Sequence, residues 1–225
     1  MARFKRLKVL NEMEKVGVIP VFFNKDIEIS KKIVSACAKG GANVIEMTNR
    51  ADFAYDVFKQ LELFVKKNHP NVILGVGSIV DSPTAALYIS NGANFIVGPS
   101  FDKETAILCN KRKIPYSPGC GSATEIHVAE SYGVEICKVF PGAQVGGPAF
   151  VKAVKGPCPW TSIMPTGGVD ATEESLTNWF SAGVTCVGIG SKLITSDIIA
   201  NNEYDKLTEN IKKTIGIIKS IRSGL

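Results

Sequence analysis

Eight short apolar runs recur along this chain, each followed by a polar turn and then a stretch whose apolar residues have helical spacing. They begin at Val18 (VIPVFF), Asn43 (NVIEM), Asn71 (NVILGVG), Asn94 (NFIVG), Ile114 (IPYS), Glu135 (EICKVF), Ser162 (SIMPTG) and Thr185 (TCVGIG). The intervening periodicity predicts helices over 27–38, 53–67, 83–90, 103–111, 123–132, 149–154 and 173–181. Strands that alternate with helices at short intervals predict an α/β fold, here a (β/α)8 TIM barrel forming a single domain over residues 1–225. The competing layout is a doubly wound open sheet. Its dinucleotide-binding form needs G-x-G-x-x-G opening the first helix, where this chain has VFFNKD. Pro20 conflicts locally with the first run, because it lacks a ladder N–H, and is expected at a bulge or strand end.

Two more helices flank the repeats. Tyr204, Leu207, Ile211, Ile215, Ile218 and Ile221 recur at spacings of three and four, which predicts an amphipathic C-terminal helix. Phe4, Leu7, Leu10 and Met13 predict an extra N-terminal helix in the same way. Both faces read as core packing.

Composition narrows the function. No apolar run approaches the ~20 residues of a membrane span, and MARFKRLKVLNEMEK lacks the apolar segment of a secretory signal. A cytoplasmic protein with no membrane partner is expected. Six cysteines are scattered without C-x-x-C spacing and read as reduced core residues. Only His69 and His127 could add imidazole ligands, neither in a ligand-spaced cluster, so no metal or other cofactor is expected. The net charge of +5 comes without a basic block interleaved with aromatics, which disfavours nucleic acid and suits an acidic small-molecule substrate.

Two runs carry charge where a core strand should be apolar. In EICKVFP, Lys138 is flanked by Cys137, Val139 and Phe140. An ammonium in that setting either reaches solvent at the strand end or, if it points inward, loses its proton and becomes an amine able to attack a ketone. In NVIEMTNR, Glu46, Thr48 and Arg50 are spaced by two, placing a carboxylate, a hydroxyl and a guanidinium on one strand face. Arg50 suits bidentate capture of a carboxylate, and a buried Glu46 suits proton transfer. A Glu–Arg ion pair closing the barrel end fits the same pattern. The third feature is MPTGGVDATEES, whose Gly167 and Gly168 precede a helix start and allow close backbone approach to an anion. Asp170 with Glu173 also fits a capping box there. The eighth run ends in GIGSKL, with Gly190 and Ser191, and loops after the seventh and eighth barrel strands recurrently hold phosphate.

With these motifs in order, the chain resembles the class I 2-keto-3-deoxy-6-phosphogluconate (KDPG) and 4-hydroxy-2-oxoglutarate (KHG) aldolases over residues 18–193. The carriers are VIPV, VIEMTNR, GVGS, the strand-end Pro99, SPG, KVFP, PTGG and GIGS, one for each successive run. The resemblance implies Lys138 as Schiff-base lysine, Glu46 as general acid/base and Arg50 as holder of the keto-acid carboxylate. It assigns Thr48, Ser78, Pro99, Phe140 and Thr166 to substrate contact, and Gly167, Gly168, Gly190 and Ser191 to phosphate. It also implies a metal-free homotrimer that turns a keto sugar acid into pyruvate and an aldehyde. Departures from the family pattern are Ser78 for a threonine, GPSF with Ser100 after Pro99, and Gln144 where an acidic residue is common. Thr166 favours the phosphogluconate over the phosphogalactonate branch. KHG, cleaved to pyruvate and glyoxylate, shares the reacting atoms. A phosphosugar isomerase or synthase would use the loops without Lys138 as nucleophile, and a non-catalytic sugar-phosphate-binding barrel would need neither Lys138 nor Glu46.

Overall fold

A computed structural model describes residues 2–224. After helix α1 (Arg6–Val16), the repeats run β1 (Val18–Phe22), α2 (Ile27–Lys39), β2 (Val44–Thr48), α3 (Ala54–Asn68), β3 (Ile73–Gly77), α4 (Ser82–Ser90), β4 (Ile96–Val97) and α5 (Lys103–Arg112). They continue with β5 (Tyr116–Ser117), β6 (Gly119–Cys120), α6 (Ala123–Ser131), β7 (Ile136–Val139), α7 (Gly147–Lys155), β8 (Ser162–Pro165), α8 (Glu173–Ser181) and β9 (Val187–Ile189). A short α9 (Ser196–Ala200), not expected from the sequence, precedes the long α10 (Tyr204–Ser223). Six of the helices after strands open on a side-chain cap: Asp26, Asp81, Asp102, Ser122, Thr172 and Thr195 each accept from first-turn amides. The caps fix the strand-to-helix turns at the C-terminal ends of the strands.

Every strand pairing is parallel, which requires crossover helices. Six strands pair in the order β5-β4-β3-β2-β1-β9 and three in the order β6-β7-β8, giving a curled α/β sheet. The fifth apolar run supplies two strands because Pro118, with no N–H to donate, interrupts it. Across that break the Gly119 amide donates to the Gly98 carbonyl at 3.0 Å. At the other edge, Thr185 N–H donates to the Ile163 carbonyl at 2.8 Å and Thr166 bridges Gly188.

Pro20 corrects an expectation. It lies inside β1, paired with Ile189, and not at a strand end or bulge. β1 pairs with β9 over Val18–Pro20 but with β2 only from Val21 onward. The proline sits where one ladder gives way to the other, so its missing donor interrupts neither.

Inside the curl, Ile19, Val44, Ile73, Phe95, Ile136, Met164 and Cys186 form one cluster, and α1 seals it by adding Val9 and Met13. The expected N-terminal stripe was misplaced at Leu7, which is 72% exposed; the buried face runs through Val9, Met13 and Val16. Phe4, Leu10 and Met13 of the expected stripe do pack on the inner cluster, and only Leu7 lies on the solvent side of α1, since an apolar residue at the right spacing need not be buried. Because Met13 is fully buried under the strands, Met13→Ala should lower unfolding free energy by about 2–5 kcal/mol, measured by urea denaturation. A shift within error would show that α1 is not part of the core. On the outer side, α10 packs on α2 and α8 and buries Leu207, Ile211, Ile215 and Ile218. Five of the six free cysteines are buried, while Cys158 is half-buried. Among the described residues, no helix is long and apolar enough to cross a membrane.

Candidate active site

Side chains two apart on a strand share a face, so the inner cluster defines what comes next along each strand. On β2, Val44 is followed on that face by Glu46 and Thr48. On β7, Ile136 is followed by Lys138 and, past the strand end, Phe140. On β8, Met164 leads to Thr166, and before and along β9 Cys186 leads to Gly188 and Gly190. The expected residues from β2, β7, β8 and β9 therefore converge above the apolar core.

Glu46 is 1% exposed and its Oε2 has no hydrogen-bond partner. Burial raises its carboxyl above the usual glutamate range, opposed by the charges of Lys138 and Arg50. Lys138 is 6% exposed, and burial lowers its ammonium below the ordinary lysine value; Glu46 opposes that shift and Arg50 adds to it. Both groups are thus biased toward their neutral forms. The Lys138 Nζ lies 4.7 Å from the centroid of the Phe140 ring. A strand-end lysine in solvent, one of the two readings of EICKVFP, does not match this burial.

Room for the carboxyl comes from a glycine. A Cβ on Gly77 would overlap Glu46 Oε1, so the β3 backbone passes directly against the acid. A Cβ on Gly188 would come 2.5 Å from Thr166 Oγ1, and that hydroxyl is buried without a partner. Sequence reading missed both glycines. The available signal was a glycine on a strand beside a strand carrying a large or polar inward residue.

Arg50 follows β2 and is exposed. Its Nε donates to Ser78 Oγ at 3.4 Å, and Ser78 itself has φ of 61°. No ion pair joins Arg50 to Glu46 among the described residues, which removes the barrel-end pair as an account of NVIEMTNR. The neighbouring Asn49 is held by its amide on the Gly77 carbonyl and by its side chain on Tyr88, at 2.8 and 2.9 Å.

Above these groups opens a cavity of about 810 Å³. Thr48, Arg50 and Phe140 line one part of it, and Thr166, Gly167, Gly168, Gly190 and Ser191 another. The Thr48 hydroxyl already donates to the Phe22 carbonyl at 3.4 Å. Ser78 and Pro99 are absent from the lining: Ser78 accepts from Arg50, and the Pro99 carbonyl faces Gly119. Ser100 and Gln144 are exposed.

The glycine end is built from two turns. Gly167 and Gly168 both have positive φ, 88° and 76°, and Trp179 Nε1 donates to the Gly168 carbonyl at 3.4 Å. After β9, the Leu193 and Ile194 amides both close on the Gly190 carbonyl. Among the described residues, no backbone acceptor takes the Gly168, Ser191 or Lys192 amides. The Asp170–Glu173 capping box is corrected: Thr172 caps α8 through the Ser175 amide. The Asp170 amide instead donates to the Ser175 hydroxyl oxygen, and its carboxylate pairs with Lys192 at 3.6 Å. A threonine nearer the helix outcompetes the aspartate for the cap.

Chemically, such a set has the means to add an amine to a ketone, to relay a proton through a neighbouring carboxyl, and to receive anions at a guanidinium and at free amides. No group of three or more His, Cys, Asp or Glu placed to hold a metal ion occurs among the described residues.

The family profile "KDPG and KHG aldolase" matches residues 9–210. A 2-dehydro-3-deoxy-phosphogluconate aldolase of Pseudoalteromonas atlantica is 31% identical over 202 residues, 88% of this chain and 89% of that protein. The KHG/KDPG aldolase of Escherichia coli K12 is 27% identical over 199 residues, 88% and 90% of the two chains. The crystal structure of a KDPG aldolase from Legionella pneumophila, with pyruvate captured at low pH as a covalent carbinolamine intermediate, superposes with a TM-score of 0.83 at 27% identity, covering 92% of this chain and 97% of that one.

Proposed function

From the premise that this chain belongs to the KDPG and KHG aldolase family of carbon–carbon lyases, we propose that it cleaves 2-keto-3-deoxy-6-phosphogluconate to pyruvate and glyceraldehyde 3-phosphate. The observation that carries this reading is Lys138, a buried lysine held toward its neutral form beneath an open cavity, with the likewise buried Glu46 close enough to act on its titration. Neutral Lys138 adds to the C2 ketone, and protonated Glu46 gives its proton to the carbinolamine hydroxyl, which leaves as water; the protonated imine then accepts electrons from the breaking C3–C4 bond while Glu46 stands ready as a carboxylate. Glu46 takes the C4 hydroxyl proton, directly or through water, and the aldehyde leaves. The same acid helps reprotonate the enamine at C3, and hydrolysis frees pyruvate. Arg50 holds the carboxylate, with Thr48 and Phe140 beside it in the lining; Ser78, which accepts from Arg50, and Pro99 support it from outside the lining. Thr166, Gly167, Gly168, Gly190 and Ser191 take the far end, so attack becomes effectively intramolecular.

The same reading takes residues 1–225 as a single cytoplasmic domain, supported by six free cysteines, and as a homotrimer, as the family resemblance implies. It also takes the two sheets as one closed (β/α)8 barrel. The Gly119–Gly98 bond and the Thr166–Gly188 bridge at their two junctions favour closure.

The direct test is cleavage of the two acids, with pyruvate read by a coupled dehydrogenase. A kcat/KM for the phosphorylated six-carbon acid above that for 4-hydroxy-2-oxoglutarate is expected; the reverse order would make KHG the substrate. A pH series of borohydride trapping with pyruvate tests the amine. Burial lowers the Lys138 ammonium, so its neutral form populates at lower pH than that of an exposed lysine. Trapping should therefore rise with pH and reach half its plateau below the ordinary lysine range. A midpoint within that range would contradict the buried neutral amine.

A further inference from the structure

Among the described residues, the 810 Å³ cavity is lined by two charged ones, Arg50 and Lys192, and by no Asp or Glu. Lys192 belongs to the turn after β9, directly following Ser191, and its side chain is 69% exposed. It also borders a second depression, shared with Asp170, Thr172 and Lys213, on the other side of the same turn. Its ammonium rests on Asp170 at 3.6 Å, a pair in which Asp170 is itself 46% exposed. Such a pair is loose, because solvent screens both partners. Asp170 and the cavity thus lie within reach of one mobile ammonium, beside the unpaired amides of Gly168, Ser191 and Lys192 itself.

We infer that Lys192 is a specificity-determining residue that exchanges Asp170 for the terminal phosphate of the substrate. The inference rests on the aldolase reading for the reaction, but the contact itself is one between an ammonium and a phosphate monoester. Backbone amides alone bind a dianion and a monoanion through the same dipoles, whereas a mobile full charge gains most from the dianion. Asp170 has the opposite effect: it holds the cation away from the cavity when the terminus of the substrate carries no phosphate. Together they weight selection toward phosphorylated keto acids over 4-hydroxy-2-oxoglutarate, beyond what the glycine turns give.

The test uses Lys192→Gln and Asp170→Asn in the full chain. Lys192→Gln should raise KM for the phosphorylated acid about tenfold with kcat within about twofold, the size of one charged hydrogen bond lost. The ratio of kcat/KM between the phosphorylated acid and 4-hydroxy-2-oxoglutarate should fall by a similar factor, and Lys192→Arg should restore most of it. Asp170→Asn frees the lysine and should lower that KM about two- to threefold. An equal loss on both substrates, or no change in the ratio, would overturn the proposal. A second readout does not depend on turnover. Trp179 is bonded to the Gly168 carbonyl, so its fluorescence should respond to glycerol 3-phosphate, with Trp160, outside the cavity lining, as a constant background. Lys192→Gln should weaken that response about tenfold, and identical titrations would refute the contact. If wild-type protein cleaves neither acid yet binds glycerol 3-phosphate through Lys192, the aldolase reading fails and this inference stands.

Discussion

Lys138→Met should abolish borohydride-dependent incorporation of pyruvate and lower kcat/KM by on the order of 10⁴-fold or more, since removing a covalent nucleophile disables every step that follows it. The substitution should leave the fold intact. Lys138 is 6% exposed and flanked in β7 by buried Cys137 and Val139, so an apolar chain of similar length suits the site better than an ammonium does. Melting at or above the wild-type temperature, together with lost turnover, is the expected pair of results. Trapping that persists on another lysine of the folded variant would move the nucleophile elsewhere. Turnover close to wild type would exclude the imine route.

Gly77→Ala should cost about 10²-fold in kcat while borohydride trapping on Lys138 persists, because a displacement near 1 Å of a catalytic group is worth that much. The added methyl would overlap Glu46 Oε1 and must push the carboxyl out of its place. Gly77 has ordinary extended backbone in β3, so the substitution strains contact and not conformation. Glu46→Asp withdraws the carboxyl by one methylene, so the Gly77→Ala, Glu46→Asp double variant should be less destabilised than the sum of the single changes. Strict additivity in urea denaturation, or a Gly77→Ala enzyme of unchanged kcat, would show that the glycine does not position the acid.

The alternation of strands and helices is legible in the sequence because parallel strands covered on both faces must be apolar throughout, and helices between them must be amphipathic. Lys138, Glu46 and Arg50 are legible for the complementary reason: a charge within such a run needs an account other than packing. What the sequence conceals is relational. Leu7 and Val9 are both apolar residues of one helix, and only the strands beneath decide which is buried. Pro20 looks like a strand terminator until the offset between its two ladders is known. Gly77 matters through Glu46 on the next strand, and Lys192 through Asp170, more than twenty positions earlier. No local window contains either pair. Nor does any local window show that Thr172, and not Asp170, takes the helix cap, since both residues have the required oxygen.

The pairing of β1 with β9 also bears on how the chain is made. Val18 meets Val187, so β1 keeps an open edge until β9, about 170 residues later in the chain, has been synthesised. Contacts so distant in sequence form late, after their loop-closure entropy has been met, and the inner end that α1 covers stays incomplete until then. Nascent chains stalled before Thr185 should accordingly be sticky and protease-sensitive despite carrying Lys138 and Glu46.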